Sequence, residues 1–160
     1  MEPICRIVSR PIRCTDLVDQ VRTARDGAVA TFRGVVRNRH RGRAVTRLEY
    51  HAYAEMAEEE LARIAGEIQN RFPVGRVGLI HRVGTLEVGD VAVLVAVAAP
   101  HRRAALAGCA AAIEEVKRRL PIWKKEFFGD HSSPMWVFGP QEPPGDTGAG
   151  GAAREKETGE

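Results

Sequence analysis

The stretch VAVLVAVAA, residues 91–99, runs nine apolar residues without a break. Few structures are open to such a run. A membrane-spanning helix needs roughly 20 apolar residues, and this one falls far short. Valine-rich and framed by Gly89-Asp90 and Pro100, it reads as a strand. PHRRAALAGCAAAIEEVKRRL (100–120) follows at once and keeps helical spacing until Pro121 stops it. A strand that passes straight into a long helix sets the frame for the rest of the chain.

The other segments alternate in kind. ICRIV (4–8) reads as a short edge strand. TDLVDQVRTARDG (15–27) is expected to be a helix, with Thr15 as N-cap and Gly27 closing its end. AVATFRGVV (28–36) and VTRLEYHAY (45–53) are β-rich, so RNRHRGR between them is expected to be the exposed connection of a hairpin. YAEMAEEELARIAGEIQNRF (53–72) is an amphipathic helix with Leu61, Ile64, Ala65, Ile68 and Phe72 on one face. RVGLIHRVGTLEV (76–88) is a strand with a turn at Gly84, IWKKEFF (122–128) is extended, and MWVFG (135–139) is a last short strand. Mixed strands and helices with antiparallel hairpins make the class α+β. Residues 1–139 form one domain, and the Gly/Pro-rich charged tail 140–160 is expected to be disordered.

Charge is distributed unevenly. From Gly139 onward five acids face only Arg154 and Lys156, so the tail is −3 and, with the whole chain at +3, the body is +6. RGVVRNRHRGR (33–43) alone holds five arginines and a histidine. A basic body points to an anionic partner: nucleic acid, a phosphorylated small molecule or an acidic protein surface. Three cysteines (Cys5, Cys14, Cys109), an odd number without a C-x-x-C pair, argue against a disulfide framework and against a zinc site. The N-terminus lacks the apolar core of a signal peptide. The expectation is a soluble, cytoplasmic protein without a metal or cofactor.

Lysines in the second long helix and just beyond it are out of place. Leu106, Cys109, Ala110, Ile113, Val116 and Leu120 form one stripe, and Lys117 falls about 40° from Ile113 within it. A lysine there must snorkel, pair with an acid or point into a cavity. In a half-buried pocket its pKa would drop, suiting it to nucleophilic or proton-transfer work. Beyond Pro121, Lys124 of IWKKE can fold back toward Lys117, and two such lysines would hold an anion; a plain solvated loop anchored by Trp123 is the other reading. At the helix start, His101 and Arg102 stand where free N–H groups favour anions. Arg102 and Lys117 lie fifteen residues apart, roughly 22 Å along a helix. Either there are two sites, or a second copy brings His101 and Arg102 to the first copy's Lys117.

Several function classes are excluded. There is no Walker A or Rossmann glycine pattern, no G-x-S-x-G and no thiol-nucleophile signature. RNA or nucleotide binding through the arginine loop remains the alternative reading. Against it stand the 6% aromatic content and the lack of an RNP-like string.

Four strings occur in order: GAVATFRGVVRN, LEYHAYAEMAEEEL, GRVGLIHRVGTLEVGDVAVLVAVAAPHR and PIWKKE. Together, from about Ile4 to Trp136, they resemble the large (catalytic) subunit family of molybdopterin synthase. The resemblance implies an α/β hammerhead-type fold with antiparallel strands and two long helices. It also implies a heterotetramer, in which a central homodimer of large subunits carries one small ubiquitin-like sulfur-carrier subunit at each end. The carrier's Gly-Gly terminus bears a thiocarboxylate, which sulfurates cyclic pyranopterin monophosphate to molybdopterin without a metal or other cofactor. The implied catalytic residues are Lys117 and Lys124. The implied substrate-binding residues are Arg37, Lys125 and Glu126, with His101 and Arg102 reaching in from the neighbouring large subunit. The loop NRHRGR is more basic than the family leads one to expect, and the resemblance gives Arg39, Arg41 and Arg43 no role. Nor does MWVFGPQEPPG offer the basic residue that some members bring to the substrate site. A scaffold that keeps the carrier dock without activity is a third reading, which the pair of lysines argues against.

Overall fold

The computed structural model describes residues 1–137. The apolar run becomes the strand β7 of a four-stranded sheet ordered β1-β5-β7-β2, formed by β1 (Ile4–Val8), β2 (Ala28–Val35), β5 (Val77–Arg82) and β7 (Val91–Ala99). β7 is antiparallel to both neighbours, and β1 runs parallel to β5. Both faces of β7 are covered, which is why it reads as a continuous apolar run and not as an alternation. On one face Val93, Val95 and Val97 pack with Leu61, Ile64 and Ile68 of helix α2 (Ala54–Arg71). Ala105, Cys109, Ala112 and Val116 of helix α3 (Arg102–Arg119) complete that layer. On the other face Leu94, Ala96 and Ala98 pack with Ile12, Leu17 and Val21.

A second sheet, ordered β3-β4-β8-β9, takes β3 (Arg39–His40), β4 (Arg43–Ala52), β8 (Ile122–Phe128) and β9 (Met135–Val137), with β6 (Gly84–Glu87) also paired to β4. Val36, Val45, Leu48, Leu86, Ala92 and Phe128 form its own small core. Pro121 drops the chain out of α3 directly into β8, because Leu120 is already extended (φ −66°, ψ 127°). Arg119, in the same last turn, donates to Glu60 and Glu67 of α2 at 2.6 Å each, fixing that end of α3 in place.

Three expectations differ from the structure. The expected helix 15–27 is only a 3-10 turn (Cys14–Asp16) and one helical turn, α1 (Val18–Val21). Arg22 turns extended, and both the backbone N–H and the hydroxyl of Thr23 donate to the Asp26 carboxylate at 2.8 Å, a local bond that competes with helix. Strands β2 and β4 are not a hairpin pair: β2 pairs with β7, and β4 with β8 and β6. The arginine-rich connection instead forms its own tight hairpin, β3 to β4, around Arg41 (φ 48°) and Gly42 (φ 80°), the two left-handed residues of a primed turn. The stripe of α3 is rotated, leaving Leu106 63% exposed and Ala110 and Lys117 on the exposed side, and bringing Ala105, Gly108 and Ala112 inside. The expected strand 135–139 is seen as Met135–Val137, and the tail 140–160 lies outside the described residues. Among the described residues no helix is long and apolar enough to cross a membrane.

Candidate active site

Where the last turn of α3 meets the second sheet, a cavity of about 160 Å³ opens to solvent. Arg37, Arg39 and His40 line it from the β2–β4 connection, Tyr50 from β4, Lys117 from α3, and Lys124 and Glu126 from β8. The strand period of two explains the pair from β8: Lys124 and Glu126 share one face, so Lys125 must take the other. Lys125 there lies over the Phe127 and Trp136 rings, 5.6 and 5.3 Å from their centroids, and does not line the cavity. Pairing of Lys124 with Tyr50, and of Glu126 with Leu48, sets the depth of each group across β4.

Glu126 is the chemical centre of the wall. It is 1% exposed. Its Oε1 accepts from the Lys124 ammonium at 2.8 Å and its Oε2 lies 2.6 Å from His40 Nδ1. Burial alone would raise its pKa, but the hydrogen bonds from Lys124 and His40 prevail and hold it below the ordinary value. The cavity therefore keeps a carboxylate charged at neutral pH, with the Lys124 ammonium on one oxygen and the His40 ring on the other.

Lys117 faces this wall from the helix. Part of the Lys117 side chain is exposed, but the protein atoms packed around it lower its pKa by partial desolvation, and the Lys124 ammonium lowers it further. Nearby His81 is 4% exposed, meets the Tyr50 ring in a T-shaped contact with centroids 5.2 Å apart, and contacts the Arg82 carbonyl through Nδ1 at 2.9 Å. Burial pushes its pKa down to about 4, so the ring is neutral. The Tyr50 phenol is pushed up to about 12, first by burial and then by the Glu126 charge.

The expected site residues thus fall into three groups. Lys117, Lys124, Arg37 and Glu126 converge on one cavity. Lys125 backs the sheet from its other face. His101 and Arg102 line a separate shallow groove with Arg103 and Leu106, at the opposite end of α3. His40, Tyr50, His81 and Arg39 were not singled out for the site from sequence. Of the extra arginines, Arg39 lines the cavity, while Arg43 lies 3.5 Å over the Phe128 ring and bonds Asp130.

A small open cavity, walled by two lysines, two arginines and a buried ion-paired carboxylate, is the candidate site, and its lining suits anionic reactants; it lies at the junction of a layered α/β sheet and a second antiparallel sheet. The sequence pattern of the family described as MoaE protein matches residues 7–119, and the chain belongs to that family. It is 45% identical over 131 residues to the molybdopterin synthase catalytic subunit of Halalkalibacterium halodurans, covering 82% of this chain and 83% of that one. The crystal structure of molybdopterin synthase from Staphylococcus aureus superposes with a TM-score of 0.79 at 39% identity, over 83% of this chain and 96% of that one. A complex of subunits 1 and 2 of molybdopterin-converting factor from Helicobacter pylori shares the fold at 18% identity (TM-score 0.65), over 83% of this chain and 88% of that one. The chain is accordingly an enzyme of molybdenum cofactor biosynthesis, of the molybdopterin synthase catalytic subunit class.

Proposed function

We propose that this subunit transfers sulfur from the C-terminal thiocarboxylate of a small ubiquitin-like carrier to cyclic pyranopterin monophosphate, making the dithiolene of molybdopterin in two rounds. The observation that carries the reading is the meeting of Lys117 and Lys124 on one cavity with the Glu126 carboxylate. Donor tail and substrate are both anions, and neither approaches the other without cations between them. Arg37 and Arg39 supply fixed positive charge for the phosphate. Lys124, its ammonium anchored by Glu126, is placed to orient the donor's carbonyl oxygen.

The sulfur of the thiocarboxylate attacks a carbon of the pterin side chain. A C–S bond forms as a C–O bond at that carbon breaks, its oxygen leaving on the opened phosphate in one round and as water in the other, and the donor becomes a thioester. Water then attacks the thioester carbonyl, the carbonyl C–S bond breaks, and sulfur stays on the pterin while the carrier leaves as a carboxylate. Each carbonyl step develops an oxyanion that an ammonium stabilises. Lys117, with its pKa lowered, gives up a proton more readily than an ordinary lysine and is placed to carry the proton transfers.

A second large subunit completes the site in this reading. His101 and Arg102 sit at the far end of α3, beyond reach of Lys117 in the same chain. Supplied by a neighbouring copy, they add two groups for the substrate phosphate. The two-subunit composition of the Helicobacter pylori neighbour supports a carrier partner of the kind proposed. The test is an anaerobic single turnover of purified subunit, thiocarboxylated carrier and cyclic pyranopterin monophosphate, read by carrier mass and by pterin product. Molybdopterin appearing as the carrier exchanges sulfur for oxygen supports the reading; intact thiocarboxylate in a formed complex refutes it.

A further inference from the structure

His40 belongs to no expected role, yet it makes one of the shortest polar contacts to the cavity wall. Its Nδ1 lies 2.6 Å from Glu126 Oε2, across 86 residues of sequence. Glu126 holds the Lys124 ammonium by its other oxygen at 2.8 Å. A buried carboxylate with one oxygen unpartnered is free to rotate about its last bond and to lose its ionised form. With both oxygens taken, its plane is fixed, and so is the direction from which it holds Lys124.

The element that carries His40 adds a second consequence. β3 is two residues long and pairs only with Arg43 and Ala44 of β4. It follows directly on the segment that brings Arg37 and Arg39 to the cavity. The contact to Glu126 ties that short segment to β8 directly, adding a side-chain link between the arginine wall and the lysine wall to the backbone pairing that runs through β4.

The geometry points to His40 as a positioning residue of the sulfur-transfer site, acting through Glu126 on Lys124 and holding the Arg37–Arg39 segment against β8. Resting on the sulfur-transfer reading above, it makes the active-site ion pair a three-member chain, Lys124–Glu126–His40. Charged or titratable groups facing the chain are Lys117 from α3, Tyr50 from β4, and Arg37 and Arg39 from the connection.

The experiment compares two near-isosteric variants in the single-turnover assay with full-length protein and thiocarboxylated carrier. Asn keeps an N–H donor close to the position of Nδ1, and Leu fills similar space without one. His40→Leu is expected to slow sulfur transfer about tenfold or more while carrier affinity stays within about twofold, and His40→Asn to remain within about threefold of wild type. In a Glu126→Gln background, His40→Leu adds little, because the two act as one unit. A tenfold loss in His40→Asn, wild-type speed in His40→Leu, or full additivity with Glu126→Gln would each overturn the inference. Absence of product from wild type would instead strike the sulfur-transfer reading, so the two failures are told apart. Should His40→Leu not fold, His40→Asn and its double variant with Glu126→Gln still decide the matter.

Discussion

At Lys117 the fold places a positive charge where burial and a second ammonium both disfavour it. The same arrangement suits it to the proton-transfer role proposed above. Replacing Lys124 by Gln removes the repelling ammonium and leaves Glu126 without its lysine partner. Both changes favour the charged form of Lys117. Its pKa, followed by NMR of isotopically methylated lysines, is expected to rise in Lys124→Gln; a fall or no change would contradict the coupling. His81 carries a different cost. Its folded pKa of about 4 lies below the ordinary 6.5, so the unfolded chain takes a proton first as the pH falls. Its contribution to stability is complete above pH 6.5 and is lost between 6.5 and about 4. Urea titrations across that window are expected to show a steep pH dependence that is reduced by one proton in His81→Asn, and an unchanged slope would mean the ring is protonated in the folded state.

Among the elements, the junction between sheet and N-terminal segment is the tightest. A Cβ on Gly78 of β5 would meet Leu17 Cδ1 at 2.4 Å, and Leu17 is fully buried. Gly78→Ala is expected to expel or strain that leucine and lower stability by about 1–3 kcal/mol, measured by chemical denaturation. Little change would show that the 3-10 and α1 segment is free to shift. The elements also show what the sequence makes legible. The helices α2 and α3 and strand β7 were readable because their apolar period, or its absence in β7, is written within a dozen neighbouring residues. The short α1 was not, because Thr23 and Asp26 bond each other locally and end a pattern whose apolar spacing continues. The rotated stripe of α3 followed from packing: small Ala105, Gly108 and Ala112 let the helix sit close to the sheet, and Leu106 is left outside. Lys117 and Lys124 could be brought together from sequence because Pro121 forces the chain to turn between them. His40 and Glu126 could not, since strand pairing between β4 and β8 leaves no local trace. Lys125 was readable in principle, because any strand over 122–128 must turn it away from its neighbours.

At the scale of the whole molecule, one helix separates two halves of a basic site. Arg37, Arg39, Lys117 and Lys124 gather at one end of α3 and His101 and Arg102 at the other. If two copies share each site, Lys117→Ala and His101→Ala damage different chains of the same active site. Each variant alone is expected to be slow. Mixed and re-associated in equal amounts, they form hybrids in which one of two sites is intact, giving back about a quarter of wild-type activity. No recovery in a mixture shown to exchange subunits would place the whole site within one chain. Between these halves, the molecule reads as a scaffold that keeps like charges close until anions arrive.

The central claim is that a lysine of lowered pKa at the end of α3 carries the sulfur-transfer chemistry. The most direct measurement is the single-turnover rate of Lys117→Ala beside wild type, each saturated with thiocarboxylated carrier and cyclic pyranopterin monophosphate, with folding and carrier binding checked on the same samples. A loss of about a hundredfold or more is expected in a folded, carrier-binding variant. A Lys117→Ala rate within a few fold of wild type would contradict it.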